Sequence, residues 1–216
     1  MASKTPLAVR IATEDAMLEG DLALPAGTSR VVLFAHGSGS SRKSVRNRYV
    51  ATILNEAGLG TLLFDLLTPT EEAIDVRTAE LRFDIELLAR RLIGATDWLA
   101  ADVQTRDLEV CYFGASTGAA AAIVAAAERP RIVAAVVSRG GRPDLAAAAL
   151  GRVEAPTLLI VGDRDEEVVR LNEVALASLK AESELQLVPG ATHLFEEPGA
   201  LDHVAMLAID WFQRHM

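Results

Sequence analysis

Hydrophobic positions in this chain gather into short continuous runs. Val31–Ala35, Gly60–Asp65, Leu108–Phe113, Ile132–Val137 and Thr157–Val161 are mainly apolar and partly β-branched, and Leu185–Val188 is the last strand-like run. Runs of that length without polar alternation predict strands covered on both faces, the habit of a parallel sheet. Leu7–Ala12 and Met17–Leu24, separated by Thr13-Glu14-Asp15, predict an N-terminal hairpin.

A helical period separates the strands. Leu81, Ile85, Leu88, Leu92 and Ile93 recur at spacings of three and four, with Arg82, Glu86 and Arg90 on the opposite face. They predict a helix from about Arg77 to Leu99 or Ala100, with Trp98 packed. The basic cluster Arg42–Arg48 opens a helix that continues through Tyr49 to Ala57 and stops at Gly58. Ala119–Ala127 is rich in the best helix former and predicts a packed helix. Further helices are expected up to Leu150, after the Gly162–Val168 strand end to about Lys180, and from about Pro198 to Arg214. Leu66–Asp75 carries Pro69 and several acidic residues, which predicts a loop with a lid role. The alternation of strand and helix predicts one mostly parallel sheet with helices on both faces, residues 1–216 forming a single domain. In such sheets ligands bind outside the carboxyl ends of the strands.

Composition narrows the partners. With 216 residues, half of them hydrophobic, and 24% charged, the chain can bury a sizeable core. Its net charge of −9 speaks against nucleic acid or an anionic membrane as partner. The one cysteine, Cys111, lies in an apolar run, suits a reducing compartment and reads as a small core residue. No run of 18 apolar residues predicts a membrane span. Met1–Pro6 leads into no hydrophobic signal region, so a cytoplasmic location is expected, as monomer or homodimer.

The candidate chemistry sits where strands end. Gly114-Ala115-Ser116-Thr117-Gly118 joins an apolar run to the alanine-rich helix. Strand, Gly-x-Ser-x-Gly, helix is the pattern of a nucleophile elbow, in which a sharp turn exposes the serine hydroxyl above the sheet. The glycines are needed because strand and helix approach closely there. His36–Ser41 is a Gly/Ser loop after another strand, able to aim backbone N–H groups at developing negative charge. The N–H groups of Ser38 and Thr117 are the candidate oxyanion donors, and His36 reads as structural. The loop lacks the spacing and Gly-Lys ending of a phosphate-binding P-loop. His193 follows the last strand. His203 and His215 lie in or after the terminal helix and are expected at the surface. A serine hydroxyl needs a neutral imidazole to take its proton, and an aspartate to hold that imidazole. Asp163 and Asp165 compete for the latter role. On an extended loop they point to opposite sides, so one of them reaches the histidine. This chemistry asks for no cofactor or metal.

His36-Gly37-Ser38-Gly39, Gly114-Ala115-Ser116-Thr117-Gly118, Gly162-x-x-Asp165-x-x-Val168 and Gly190–Phe195 follow one another in chain order. On these motifs the whole chain resembles an α/β hydrolase, and within that superfamily the small dienelactone-hydrolase-like group. The resemblance implies Ser116 as nucleophile, Asp165 as acid and His193 as base, acting on a small-molecule ester. Dienelactone hydrolases proper are expected to carry cysteine at the nucleophile position. Serine at 116 therefore shifts the expectation to a carboxylesterase or lactonase type of serine hydrolase with little or no lid. A thioesterase or acyltransferase would use the same three residues, and a catalytically silent binding module is the alternative of another class. The chain is also similar to the hydrolase portion sometimes joined to a phosphoribosyltransferase, with no second domain of that kind expected in these residues. Arg42 and Arg139 are candidate substrate contacts, joined by Arg46, Arg48 and Arg142 in suggesting an anionic substrate.

Overall fold

The computed structural model describes residues 6–215. Met1–Thr5, which bear on the signal-region expectation, lie outside the described residues. Eight strands, β1 (Leu7–Ala12), β2 (Met17–Ala23), β3 (Arg30–Ala35), β4 (Gly60–Phe64), β5 (Glu109–Ala115), β6 (Val133–Arg139), β7 (Thr157–Gly162) and β8 (Ser183–Val188), form one sheet in the order β1-β2-β4-β3-β5-β6-β7-β8. β1 and β2 run antiparallel to their neighbours, and β3 to β8 are parallel.

The pleat sorts each central strand between two cores. Val31, Leu33, Val110 and Tyr112 face one layer, while Val32, Phe34, Cys111 and Phe113 face the other. This explains the unbroken apolar runs, because alternate residues enter opposite cores and both are dry. On the first face lie α3 (Ile85–Ala101), α4 (Thr117–Glu128), the short α5 (Ala147–Leu150) and α6 (Glu166–Ser178). On the second lie α1 (Val45–Glu56) and α7 (Ala200–Arg214), packed against each other.

Pro69–Thr78, expected as a loop, is a helix, α2. Thr68 caps it, Glu71 completes a capping box, and Pro69 takes the first turn, where its missing N–H costs nothing. α2 buries only Asp75, so it carries no apolar stripe to announce it. Its last turn and the following 3-10 turn, Leu81–Phe83, occupy what periodicity assigned to one longer helix. That longer helix starts instead at Ile85, capped by Asp84. The junction is held by Asp75, whose carboxylate accepts from the Leu81 and Arg82 backbone N–H groups and from Arg82 Nε at 2.6 Å. Burial alone would raise that carboxyl's pKa. The hydrogen bonds from Arg82 and Leu81 outweigh it and hold the carboxyl below its ordinary value.

His203 is exposed as expected, but His215 is not a free surface residue. Its ring packs at a tilt of 56° against Trp211 with centroids 4.2 Å apart, and its carbonyl accepts from the buried Arg30. No helix among the described residues is long and apolar enough to cross a membrane.

α4 packs tightly against the sheet at its first turn, and nearly all of it is small and buried. Ala119–Ala122, Ala125 and Ala126 are fully buried. A Cβ on Gly118 would collide with the carbonyl oxygens of Ala35 and His36, and one on Gly114 with the backbone of Ala119. Gly118→Ala should therefore destabilise the fold by about 1–3 kcal/mol, the usual range for overpacking. Urea denaturation of the variant beside the parent measures this. A change within about 0.5 kcal/mol would show that α4 has room to retreat.

Candidate active site

Five strand ends meet above the sheet. β5 ends in the turn that carries Ser116, at φ 51° and ψ −120°. A left-handed φ on a residue with a side chain is strained, and persists only where the surroundings enforce it. Here the Ser116 N–H donates to the Arg139 carbonyl at 3.2 Å, and the Ser116 carbonyl accepts from the Arg142 and Ala119 N–H groups at 3.2 and 3.1 Å. The start of α4 follows at once, so its N-terminal partial positive charge lies beside the hydroxyl.

His193 and Asp165 come from the ends of β8 and β7. Nδ1 of His193 lies 2.6 Å from Asp165 Oδ2. A carboxylate only accepts, so Nδ1 carries the proton and Nε2 is left as the acceptor. The loop bearing the histidine is tied down on both sides. Thr192 donates from its hydroxyl to Glu197 at 2.7 Å, Gly190 N–H donates to Asp163 at 2.7 Å, and Arg164 N–H donates to the Ala191 carbonyl at 3.1 Å. Asp163 thus braces the loop while Asp165 meets the ring. Phe195, at φ 54°, turns its ring into the core beneath.

Ser116 and His193 open on one cavity of about 230 Å³, shared with Gly37, Ser38, Ser40, Ser44, Arg46, Asn47, Ala115, Arg139 and Leu194. The N–H groups of Ser38 and Thr117 have no protein acceptor among the described residues. Ser38 lines this cavity, whereas Thr117 lines a much smaller adjoining one, also with Ser38 and His36. His36 is structural. Its Nδ1 donates to the Gly37 carbonyl at 3.0 Å, and its Nε2 accepts from Leu66 N–H at 3.1 Å. Burial lowers its pKa, which keeps the ring neutral and able to accept.

The arginines divide sharply. Arg42 does not line the cavity. Its guanidinium is held by Asp65 and Glu19, so the expectation that it contacts substrate finds no geometric support. Arg48 pairs with Asp21, and Arg142 is bidentate on Asp144. Arg139 does line the cavity, and so does Arg46, which reaches Glu196 at 3.0 Å. Asn47 went unrecognised in the sequence, where it reads as part of a solvated basic cluster. It is buried on the inward stripe of α1 with Val50, Ala51 and Leu54, and its Oδ1 lies 3.4 Å from Arg139 Nη2. A helical wheel started at the cap, Ser44, would have placed it inward.

A family model for the alpha/beta hydrolase domain matches residues 28–211, and the chain belongs to that family. Its dienelactone-hydrolase-like character is equally clear. A solved dienelactone hydrolase from Anabaena variabilis is 60% identical, with a TM-score of 0.96 over 98% of both chains. Est1E from Butyrivibrio proteoclasticus shares the fold at 16% identity, with a TM-score of 0.81 over 96% of this chain and 98% of its own. Among curated proteins, a provisionally named phosphoribosyl transferase of Mycobacterium tuberculosis is 58% identical over 209 residues, 96% of this chain and 46% of that one. The chain spans about half the length of the curated relatives it matches.

Cys111 is fully buried beneath the turn, and burial pushes its thiol up to about 12. The folded protein should therefore resist a thiol reagent such as dithionitrobenzoate at pH 8, and release one equivalent of thiol only when denatured. Fast labelling of the native state would place Cys111 outside the dry core.

Proposed function

We propose that the protein is a serine hydrolase of the carboxylesterase or lactonase type. The observation that carries this reading is that Ser116, on its strained turn, shares one cavity with a histidine whose Nδ1 is engaged by Asp165. His193 Nε2 takes the proton as Ser116 Oγ attacks the ester carbonyl carbon. The N–H groups of Ser38 and Thr117 receive the oxyanion. The C–O bond to the alcohol breaks as the imidazolium returns its proton to the leaving oxygen. Water, deprotonated by the same ring, then cleaves the acyl-enzyme and releases the carboxylic acid, restoring the Ser116 hydroxyl. Asp165 holds the tautomer and steadies the imidazolium throughout. The reaction consumes one small-molecule ester and one water and returns an alcohol and a carboxylic acid.

The 60% identical solved relative, named a dienelactone hydrolase, supports ester or lactone cleavage. The transferase name of the mycobacterial relatives is not carried over. The matched stretch is 46% of that protein, and the Ser116, His193 and Asp165 geometry suits acyl transfer to water. The single buried cysteine and acidic charge agree with a cytoplasmic setting.

A fluorophosphonate probe should form one adduct, mapped by mass spectrometry to Ser116. Ser116→Ala should abolish it, and His193→Ala should slow it by about 10²–10⁴-fold, the usual contribution of a positioned base. Asp165→Asn should lie in the same range and Asp163→Asn well below it. A folded protein that takes no adduct on Ser116 would instead be a binding module on the hydrolase fold.

A further inference from the structure

The loop that follows β6 reaches toward all three residues of the proposed triad. The Ser116 N–H donates to the Arg139 carbonyl, and the Arg142 N–H donates to the Ser116 carbonyl, both at 3.2 Å. Gly140, at φ 51°, lies against the histidine loop. A Cβ built on it would stand 3.3 Å from the His193 carbonyl oxygen and 3.6 Å from His193 Cε1. Gly141 meets α6, the helix whose N-terminal cap is Asp165. Its carbonyl accepts from Asn172 Nδ2 at 3.0 Å, and has no other partner among the described residues. Asn172 is also the one side chain among them that bonds the backbone of Arg139–Arg142.

An asparagine is an odd choice for that position. It is fully buried on the inward stripe of α6, with Val168 and Ala175 as its buried neighbours. Its Oδ1 is buried with no partner, and its second contact is the local one from Nδ2 to the Val168 carbonyl at 2.8 Å. A buried amide with an unanswered acceptor lowers stability, and an apolar group of similar shape would fill the stripe without that penalty. What the asparagine adds is one donor, aimed at Gly141.

The peptide joining Gly141 to Arg142 shows the use of that donor. Its C=O and N–H are the two ends of one planar unit, so fixing one end aims the other. Asn172 holds the oxygen end while the Ser116 carbonyl takes the N–H end. Glycine on the carbonyl side leaves this plane free to rotate when it is not held.

We infer that Asn172 is a positioning residue of the site. By holding the Gly141 carbonyl it aims the Arg142 N–H at Ser116, and it ties the strained nucleophile turn to the helix that begins at Asp165. It touches no reacting atom. The catalytic consequence rests on the hydrolase reading, whereas the anchoring of the turn does not.

The test compares the parent with Asn172→Leu, which keeps the forked side chain and removes its donors, and with the smaller Asn172→Ala. Amide hydrogen exchange is the first readout. In the parent, the Ser116 and Arg142 N–H groups should exchange about 10³-fold or more slowly than in free peptide, and in the variants they should speed up about tenfold or more beyond the core amides of β6 and β7, which report global stability. Hydrolysis of 4-nitrophenyl acetate is the second. Its kcat should fall about 10- to 100-fold with KM within about twofold, the size expected when a reacting group is slightly displaced. A parent whose Arg142 N–H exchanges like free peptide would overturn the inference whether or not a variant folds. So would a folded variant in which the two amides keep pace with the core, or one that retains the parent's kcat. Selectively faster exchange in the variants of a parent that neither cleaves the ester nor takes a fluorophosphonate would overturn the hydrolase reading and keep the anchor.

Discussion

The close approach of α4 to the sheet is the constraint on which the rest depends. A helix can reach β3 and β5 this closely only if its first turns carry almost no side chain. Gly118 against the carbonyls of Ala35 and His36, Gly114 against Ala119, and the buried alanines behind them meet that demand. The consequence is a turn too short for ordinary backbone angles, and Ser116 absorbs the strain at φ 51°. The hydrogen bonds to Arg139 and Arg142 lock it there, so the position of the hydroxyl is set by packing and not by its own rotamer alone.

That packing also decides how the charges are spent. The protein closes most of its ion pairs internally, including those of two buried arginines that fasten distant segments. Arg91 joins the β1–β2 turn, α2 and α3, and Arg30 joins β3, β5 and the end of α7. Against this background a buried arginine without a carboxylate stands out, because the same fold shows how readily such a charge is paired when the pairing serves stability. Asn47 and Phe195 steady the guanidinium without cancelling its charge.

The His193 loop shows a complementary economy. Asp163 and Asp165 are two residues apart, yet one binds backbone and the other the imidazole. An extended segment throws alternate side chains to opposite sides, so a single short loop both fastens its neighbour and orients the ring.

Most of the fold was legible in the sequence, because its information is local. Continuous apolar runs such as Val31–Ala35 and Ile132–Val137 are satisfied between two cores, and Gly-x-Ser-x-Gly between such a run and an alanine tract marks a tight strand-to-helix turn. Where propensity is carried by caps instead of an apolar stripe, as in Pro69–Thr78, the pattern was silent and a helix read as a loop. Which arginine faces the cavity was beyond the sequence altogether. Arg42 and Arg139 are the same side chain at two strand-end loops. Their fates differ because Asp65 and Glu19 converge on one, while Asn47, Phe195 and Arg46 surround the other. Such neighbours lie far apart in the chain, and only folding brings them within reach. Strand, turn and helix were therefore determined by the sequence through local sterics and the burial of apolar runs, and the electrostatic character of the cavity was decided by the tertiary structure alone.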